Sequence, residues 1–149
     1  MEHTKFVKLK KIFKTLHGPT GCLWDKKQTH RTLLPYLREE VAEFISAAKR
    51  RDNRHMKEEL GDILLQVMFH SQIAAKKGTF DVEDVIDGLI RKLKRRHPHV
   101  FGTATVRSAR QIVASWKRIK VLEKRRSHAA RRTSSRRGRR GIAKGRSPN

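Results

Sequence analysis

Glu39-Glu40-Val41-Ala42-Glu43 and Glu59-Leu60-Gly61-Asp62 are the two stretches on which the reading of this chain turns. The whole sequence has 14 acidic residues against 37 basic ones, so five carboxylates in two short runs are a concentration that needs a reason. Both runs lie inside apolar patterns of helical period. In the first, Leu37, Val41, Phe44, Ile45 and Ala48 make a stripe; in the second, Met56, Leu60, Ile63, Leu64, Val67 and Ala74 do. Residues three or four apart share a helix face. Glu40 and Glu43 therefore project together, as do Glu59 and Asp62. If the two stripes pack on each other, the flanking carboxylates meet at the seam. Like charges so placed repel unless a cation sits between them, and carboxylate oxygens suit a hard cation, Mg²⁺ or Mn²⁺. The plainer alternative is two solvated acidic faces.

The remaining helices follow from the same period. Phe6, Leu9, Ile12, Phe13 and Leu16 predict a helix over 4–16, stopped at Gly18-Pro19. Residues 17–28 read as a loop, with Trp24 covering the core or stacking on a base and Cys22 as a small buried side chain. A short turn is expected after Thr29, with Pro35 in the first turn of the helix that follows and ends near residue 50. Asn53 is the expected N-cap of a helix over 54–77, and Gly78 its stop. Asp81 and Asp84 form a capping-box pattern ahead of a helix ending near 96, where His97-Pro98-His99 breaks it. Ser108 to 125 reads as the last helix, with Ala109, Ile112, Val113 and Trp116 on one face. With no strand alternation, the fold class is an all-α bundle.

Charge is uneven along the chain. Of the net +23, residues 117–149 carry +13: 14 Lys or Arg against one acid, Glu123. One folded domain over 1–125 is expected, followed by a disordered Arg/Ser/Gly-rich tail over 126–149. So basic a chain favours polyanions: nucleotide, nucleic acid or anionic lipid. One cysteine excludes an intramolecular disulfide and argues against a structural zinc site. No stretch approaches the roughly 20 apolar residues of a membrane span, and the N-terminus is too charged for a secretory signal, so a soluble cytoplasmic protein is expected. There is no phosphate-binding glycine loop and no dinucleotide fingerprint.

Lys92, Arg96 and Lys120 stand at or beside the ends of apolar stripes. One reading has them snorkel to water. The other has them beside a carboxylate-held metal, where they would neutralise charge on a phosphate leaving group. His70, His97 and His99 read as structural or surface residues.

In order, Gly18-Pro19-x-Gly21-Cys22-x-Trp24-Asp25-x-x-Gln28-Thr29-His30, Tyr36-Leu37-x-Glu39-Glu40-x-x-Glu43, Glu58-Glu59-Leu60-Gly61-Asp62 and Arg95-Arg96-His97-Pro98-His99-Val100-Phe101-Gly102 resemble the MazG family over about residues 5–124. Leu23 departs from it, standing where the family usually has proline. The resemblance implies an all-α nucleoside triphosphate pyrophosphohydrolase that yields a nucleoside monophosphate and pyrophosphate with Mg²⁺. It implies Glu40, Glu43, Glu59 and Asp62 as metal ligands. It makes Lys92, Arg96 and Lys120 phosphate contacts, with Trp116 helping to shape the nucleotide pocket. Glu39 is the spare carboxylate that would orient the attacking water. The family works as dimers or higher oligomers, so the bundle is expected to be completed by dimerisation. The basic tail could add nucleic-acid binding.

Overall fold

The computed structural model describes residues 4–142, and side chains over 4–125. Its helices are α1 Lys5–Leu16, α2 Leu23–Lys27, α3 His30–Arg50, α4 Asn53–Lys76, α5 Val82–Arg96, α6 Pro98–Phe101 and α7 Ala109–Ile142. Among the described residues there is no strand, so the all-α reading holds. By internal packing the chain divides into two compact units, one through Gly88 and one from Leu89.

Local caps explain where the helices start. Thr4 caps α1, its hydroxyl accepting from the Val7 amide. Thr29 and Thr32 form a reciprocal capping box at the start of α3. That cap makes α3 continuous from His30, so Pro35 sits inside the helix instead of in its first turn. The carbonyl that loses its donor belongs to Arg31, whose side chain is exposed. Asp52, not Asn53, caps α4, accepting from the His55 amide and ring. Asp81 and Asp84 bond reciprocally at the start of α5, as their spacing predicts.

Two helix ends need the left-handed region. Gly78, at φ 64°, follows α4, and the Thr79 amide reaches back to the Ala74 carbonyl. Arg51 does the same after α3 at φ 58°, without glycine's freedom. Between α1 and α2 the chain turns so tightly that a Cβ on Gly21 would lie 2.1 Å from the Leu16 carbonyl oxygen. Residues 23–27, expected as loop, form the single turn α2, with Asp25 in its first turn and Lys26 and Lys27 in its last.

The core of the first unit is Phe13, Leu33, Met68, Phe69 and Ile73, with Phe6, Leu9, Leu65 and Val82 packed against it. This corrects the expected stripes. Val41 and Ile45 on α3, and Leu60, Leu64 and Val67 on α4, stay exposed, while Leu33, Ala47, Met68, Phe69, Ile73 and Ala74 are buried. Of the expected stripes Ala74 is buried and Leu37, Phe44, Ala48, Met56 and Ile63 are half-buried, so only part of each stripe looks outward; periodicity marks an apolar face without saying what covers it. Cys22 is also exposed, not buried. Trp24 is half-exposed, edge-on to Tyr36 and Phe69 at 5.8 and 6.2 Å.

In the second unit Pro98 ends α5 and opens α6. His97 lies edge-on to Trp116 at 5.2 Å. Along α7, Ile112 and Trp116 are half-buried while Ala109 and Val113 are exposed. Helix α7 runs on to Ile142, past residue 125, where the sequence reading places a boundary. Arg and Ala, common in that stretch, are strong helix formers and need no core to extend a helix already nucleated. Residues 143–149 of the expected tail lie outside the described residues. Among the described residues no helix is long and apolar enough to cross a membrane.

Candidate active site

Glu40 and Glu43 stand on α3, Glu59 on α4, and one oxygen from each lies within 4.8 Å of the others. Two oxygens on opposite sides of one hard cation lie about 4.2 Å apart for Mg²⁺ and about 4.8 Å for Ca²⁺, so the group is on the scale of one such ion. The predicted seam therefore exists, although the rows buried beside it are not those expected. Asp62, half-buried one turn after Glu59, is not within this oxygen group, but its charge acts on both Glu40 and Glu59. Glu39 is exposed on α3 and adds its charge to the field at Glu40.

The electrostatics carry the mark of crowding. Burial, then the charges of Asp62, Glu43, Glu59 and Glu39, push the Glu40 carboxyl above its ordinary range. Glu59 is pushed up by burial, then by the charges of Glu43 and Asp62 and by the nearness of the Glu43 side chain. All the donors are hard oxygens, so the set fits a hard divalent cation and does not fit a soft metal.

The expected phosphate-binding groups lie in the second unit. Lys92 on α5 and Lys120 on α7 are exposed. Arg96 is half-buried and already has a partner that sequence reading missed. Glu123 accepts from Arg96 Nε at 3.2 Å and Nη2 at 2.6 Å, and from Arg95 Nε at 2.8 Å. These two guanidinium groups hold the Glu123 carboxyl down to about 2. Arg96 spends one edge on Glu123, and its Nη1 makes none of these bonds. The signal in the sequence was a single acid in a strongly basic stretch. Trp116 is half-buried, with its indole N–H buried and unpartnered.

Two more polar residues lie in the first unit. His30 and His70 stack in parallel with Nδ1 atoms 2.8 Å apart. Gln66 is buried, and its Oε1 has no partner. In the sequence its only mark is that it interrupts the apolar run from Ile63 to Phe69.

Residues 28–101 match the MazG nucleotide pyrophosphohydrolase domain. This chain carries a MazG domain. The MazG domain and its flanks are 50% identical, over 126 residues, to the nucleoside triphosphate pyrophosphohydrolase/pyrophosphatase MazG of Thermotoga maritima, covering 85% of this chain and 48% of that protein. They are 41% identical over 114 residues to the nucleoside triphosphate pyrophosphohydrolase of Escherichia coli K12, covering 76% of this chain and 43% of that one. YabN of Bacillus subtilis, an uncharacterised protein, is 45% identical over 126 residues, with 26% of its length covered. The chain thus spans between about a quarter and a half of these relatives. A crystal structure of a MazG-related protein from Thermotoga maritima superposes with a TM-score of 0.62 at 28% identity, covering 76% of this chain and 96% of that one.

Proposed function

We propose that this MazG domain hydrolyses nucleoside triphosphates between the α- and β-phosphates, with Mg²⁺ or Mn²⁺, giving a nucleoside monophosphate and pyrophosphate. The observation that carries this reading is the convergence of Glu40, Glu43 and Glu59 from two helices, in a chain that is otherwise so basic. Glu40, Glu43 and Glu59, joined by Asp62, hold the cation. A divalent ion held there would act as a Lewis acid on the phosphate and lower the pKa of water. Glu39 orients the attacking water by accepting one of its hydrogens. Lys92, Arg96 and Lys120 neutralise charge on the pyrophosphate as the P–O bond breaks, and Trp116 shapes the nucleotide pocket. Glu123 holds Arg96 in a fixed orientation, which lowers the entropy lost on phosphate binding. We assign the activity to clearing nucleotides from the cellular pool, in the cytoplasm.

The outward stripe of Val41, Ile45, Leu60, Leu64 and Val67 supports a homodimer or higher oligomer, since a contiguous apolar face of this kind is seldom left to water. A second reading concerns the basic tail over 126–149, which holds nine Lys or Arg and no acid and supports binding to nucleic acid. The two readings are compatible.

The test is pyrophosphate release from a panel of ribo-, deoxy- and oxidised nucleoside triphosphates, with and without Mg²⁺. Metal-dependent release with monophosphate as co-product is expected, and Glu59→Gln is expected to abolish it in a folded protein. Unchanged turnover in Glu59→Gln would remove the ligand assignment. RNA binding that survives deletion of 126–149, or that is insensitive to salt, would remove the second reading.

A further inference from the structure

A cavity of about 440 Å³ opens between α1 and α4, beside the start of α5. Its floor is apolar: Val7 and Phe13 from α1, Met68 and Ala75 from α4, and Val82 from α5. Phe13 and Met68 belong to the core and are each only 3% exposed, so the cavity reaches down to the core. Its size falls within the roughly 300–1,000 Å³ of small-molecule sites. It is remote from the carboxylates. At 100° per residue, Met68, Ser71, Gln72 and Ala75 lie about 120–180° round α4 from Glu59. They also lie about 14–24 Å beyond it along the helix axis. A molecule bound here is therefore a second ligand, distinct from the triphosphate of the proposed reaction.

The mouth of the cavity is cationic. Lys10, Lys11 and Lys14 of α1 line it, and Asp81 is the one carboxylate that does. Asp81 is committed to the start of α5, where its Oδ1 accepts from the Asp84 amide. Lys10 is paired with Glu83. Lys11 and Lys14 have no carboxylate partner among the described residues. A lysine stem covers apolar wall while its ammonium rises to water. Two unpaired ammonium groups above an apolar floor favour a ligand whose charged end is an anion.

Below the mouth the walls offer little to a polar molecule. Ser71 donates its hydroxyl to the Val67 carbonyl at 2.8 Å. Of the neutral polar side chains in the lining, only Gln72 is left to read a sugar or a heterocycle. The rest of the surface is met by an apolar body, to whose shape the flexible Met68 adapts. At the roughly 30 Å³ that one water takes in the liquid, the cavity holds on the order of 15 heavy atoms. That suits one hydrocarbon chain with one anionic end, and is too small for a lipid with two chains. We propose that this cavity binds a free fatty-acyl carboxylate of about ten carbons, its chain on Phe13 and Met68 and its carboxylate between Lys11 and Lys14.

The experiment titrates the full chain with decanoate by calorimetry, below the concentration at which decanoate forms micelles. One saturable site per chain is expected. Each methylene removed from the probe should weaken binding about fourfold. Decyltrimethylammonium, with the same chain and the opposite charge, should bind about tenfold more weakly or less. Lys11→Met combined with Lys14→Met keeps the apolar stems and removes both charges. It should weaken decanoate about tenfold and leave the neutral 1-decanol unchanged. Ala75→Phe, which fills the cavity from α4, should abolish binding of both. Decanoate should also raise the thermal midpoint of the wild type and leave that of Ala75→Phe where it is.

Absence of saturable binding to a folded wild-type chain would overturn the proposal. So would undiminished binding in Ala75→Phe, since the acyl chain would then lie elsewhere, as on the outward stripe of Val41, Ile45 and Leu64. Equal affinity for decanoate and decyltrimethylammonium would overturn the choice of an anion. If Ala75→Phe fails to fold, the lysine pair decides: unchanged decanoate affinity in that variant overturns the proposal. No decanoate binding, together with a dimer that Ala75→Phe dissociates in sedimentation, would assign the cavity to a second copy of the chain instead. None of these readouts involves hydrolysis, so the proposed reaction stands or falls separately.

Discussion

Replacing Glu40 by Gln should make the metal-free protein more stable while removing its response to Mg²⁺. Glu40 faces Glu43 and Glu59 with oxygens no more than 4.8 Å away. At that separation each pair of unit charges costs about 0.9 kcal/mol at the dielectric of water, and more as the effective dielectric falls. Two such pairs, Glu40 with Glu43 and Glu40 with Glu59, act on Glu40. Allowing for the partial exposure of the cluster, the substitution relieves about 1–2 kcal/mol. For a chain of this size that is a rise in Tm of about 2–6 °C. The pH dependence has a definite sign. Glu40 and Glu59 have folded-state pKa values above the ordinary carboxylate value of 4.5. Between that value and the raised ones the native state binds more protons than the unfolded state, so metal-free stability increases as the pH falls through this window and levels off below it. Mg²⁺ at a hundred times its Kd should stabilise the wild type by about 2.7 kcal/mol and flatten this slope. The assay is thermal unfolding of wild type and Glu40→Gln at pH 5 and pH 7, with and without Mg²⁺. A variant that melts lower than wild type without metal, or one that Mg²⁺ stabilises equally, would refute the placement of Glu40 in a cation site.

Other substitutions test the frame around the site. Gly21→Ala should destabilise the protein by about 2 kcal/mol or more in urea unfolding, because the new methyl would lie 2.1 Å from the Leu16 carbonyl oxygen. Arg51→Gly should stabilise by about 1 kcal/mol in the same assay, since Arg51 closes α3 in the left-handed region at φ 58°. Glu123→Gln should lower the stability of the second unit at pH 7 by up to about 1 kcal/mol and raise KM for triphosphate by releasing Arg96. Because the folded pKa of Glu123 is depressed to about 2, its contribution is present above 4.5 and is lost as the pH falls from there towards 2. Circular dichroism at 222 nm across that range, compared with Glu123→Gln, reads this directly.

How much was legible in advance differs from residue to residue. The capping box of Asp81 and Asp84 could be read directly, because both partners lie within four residues of each other. Asp52 was passed over for Asn53, although either suits a cap, because the choice depends on where His55 points its amide and ring. The fusion of two expected segments into one α3 was hidden by Pro35, whose ring breaks most helices but here costs a bond at a solvent-facing turn. The acidic pairs were legible because i, i+3 spacing on a helix is a local fact. The Glu123 clamp, 27 residues from Arg96, and the His30–His70 pair, 40 residues apart, left no such local mark.

By itself, then, the sequence determined the all-α class, the span of the main helices and the pairing of carboxylates on each of two faces. All of these follow from interactions between residues within about four of one another. Only the tertiary structure decided which row of each helix is buried, that the apolar stripe of Val41, Ile45, Leu60, Leu64 and Val67 looks outward, and that Gln66 is sealed in the core with an unpartnered oxygen. Helical period marks a face as apolar, but the free energy of burial depends on what lies opposite, and that is settled by contacts between segments distant in the chain.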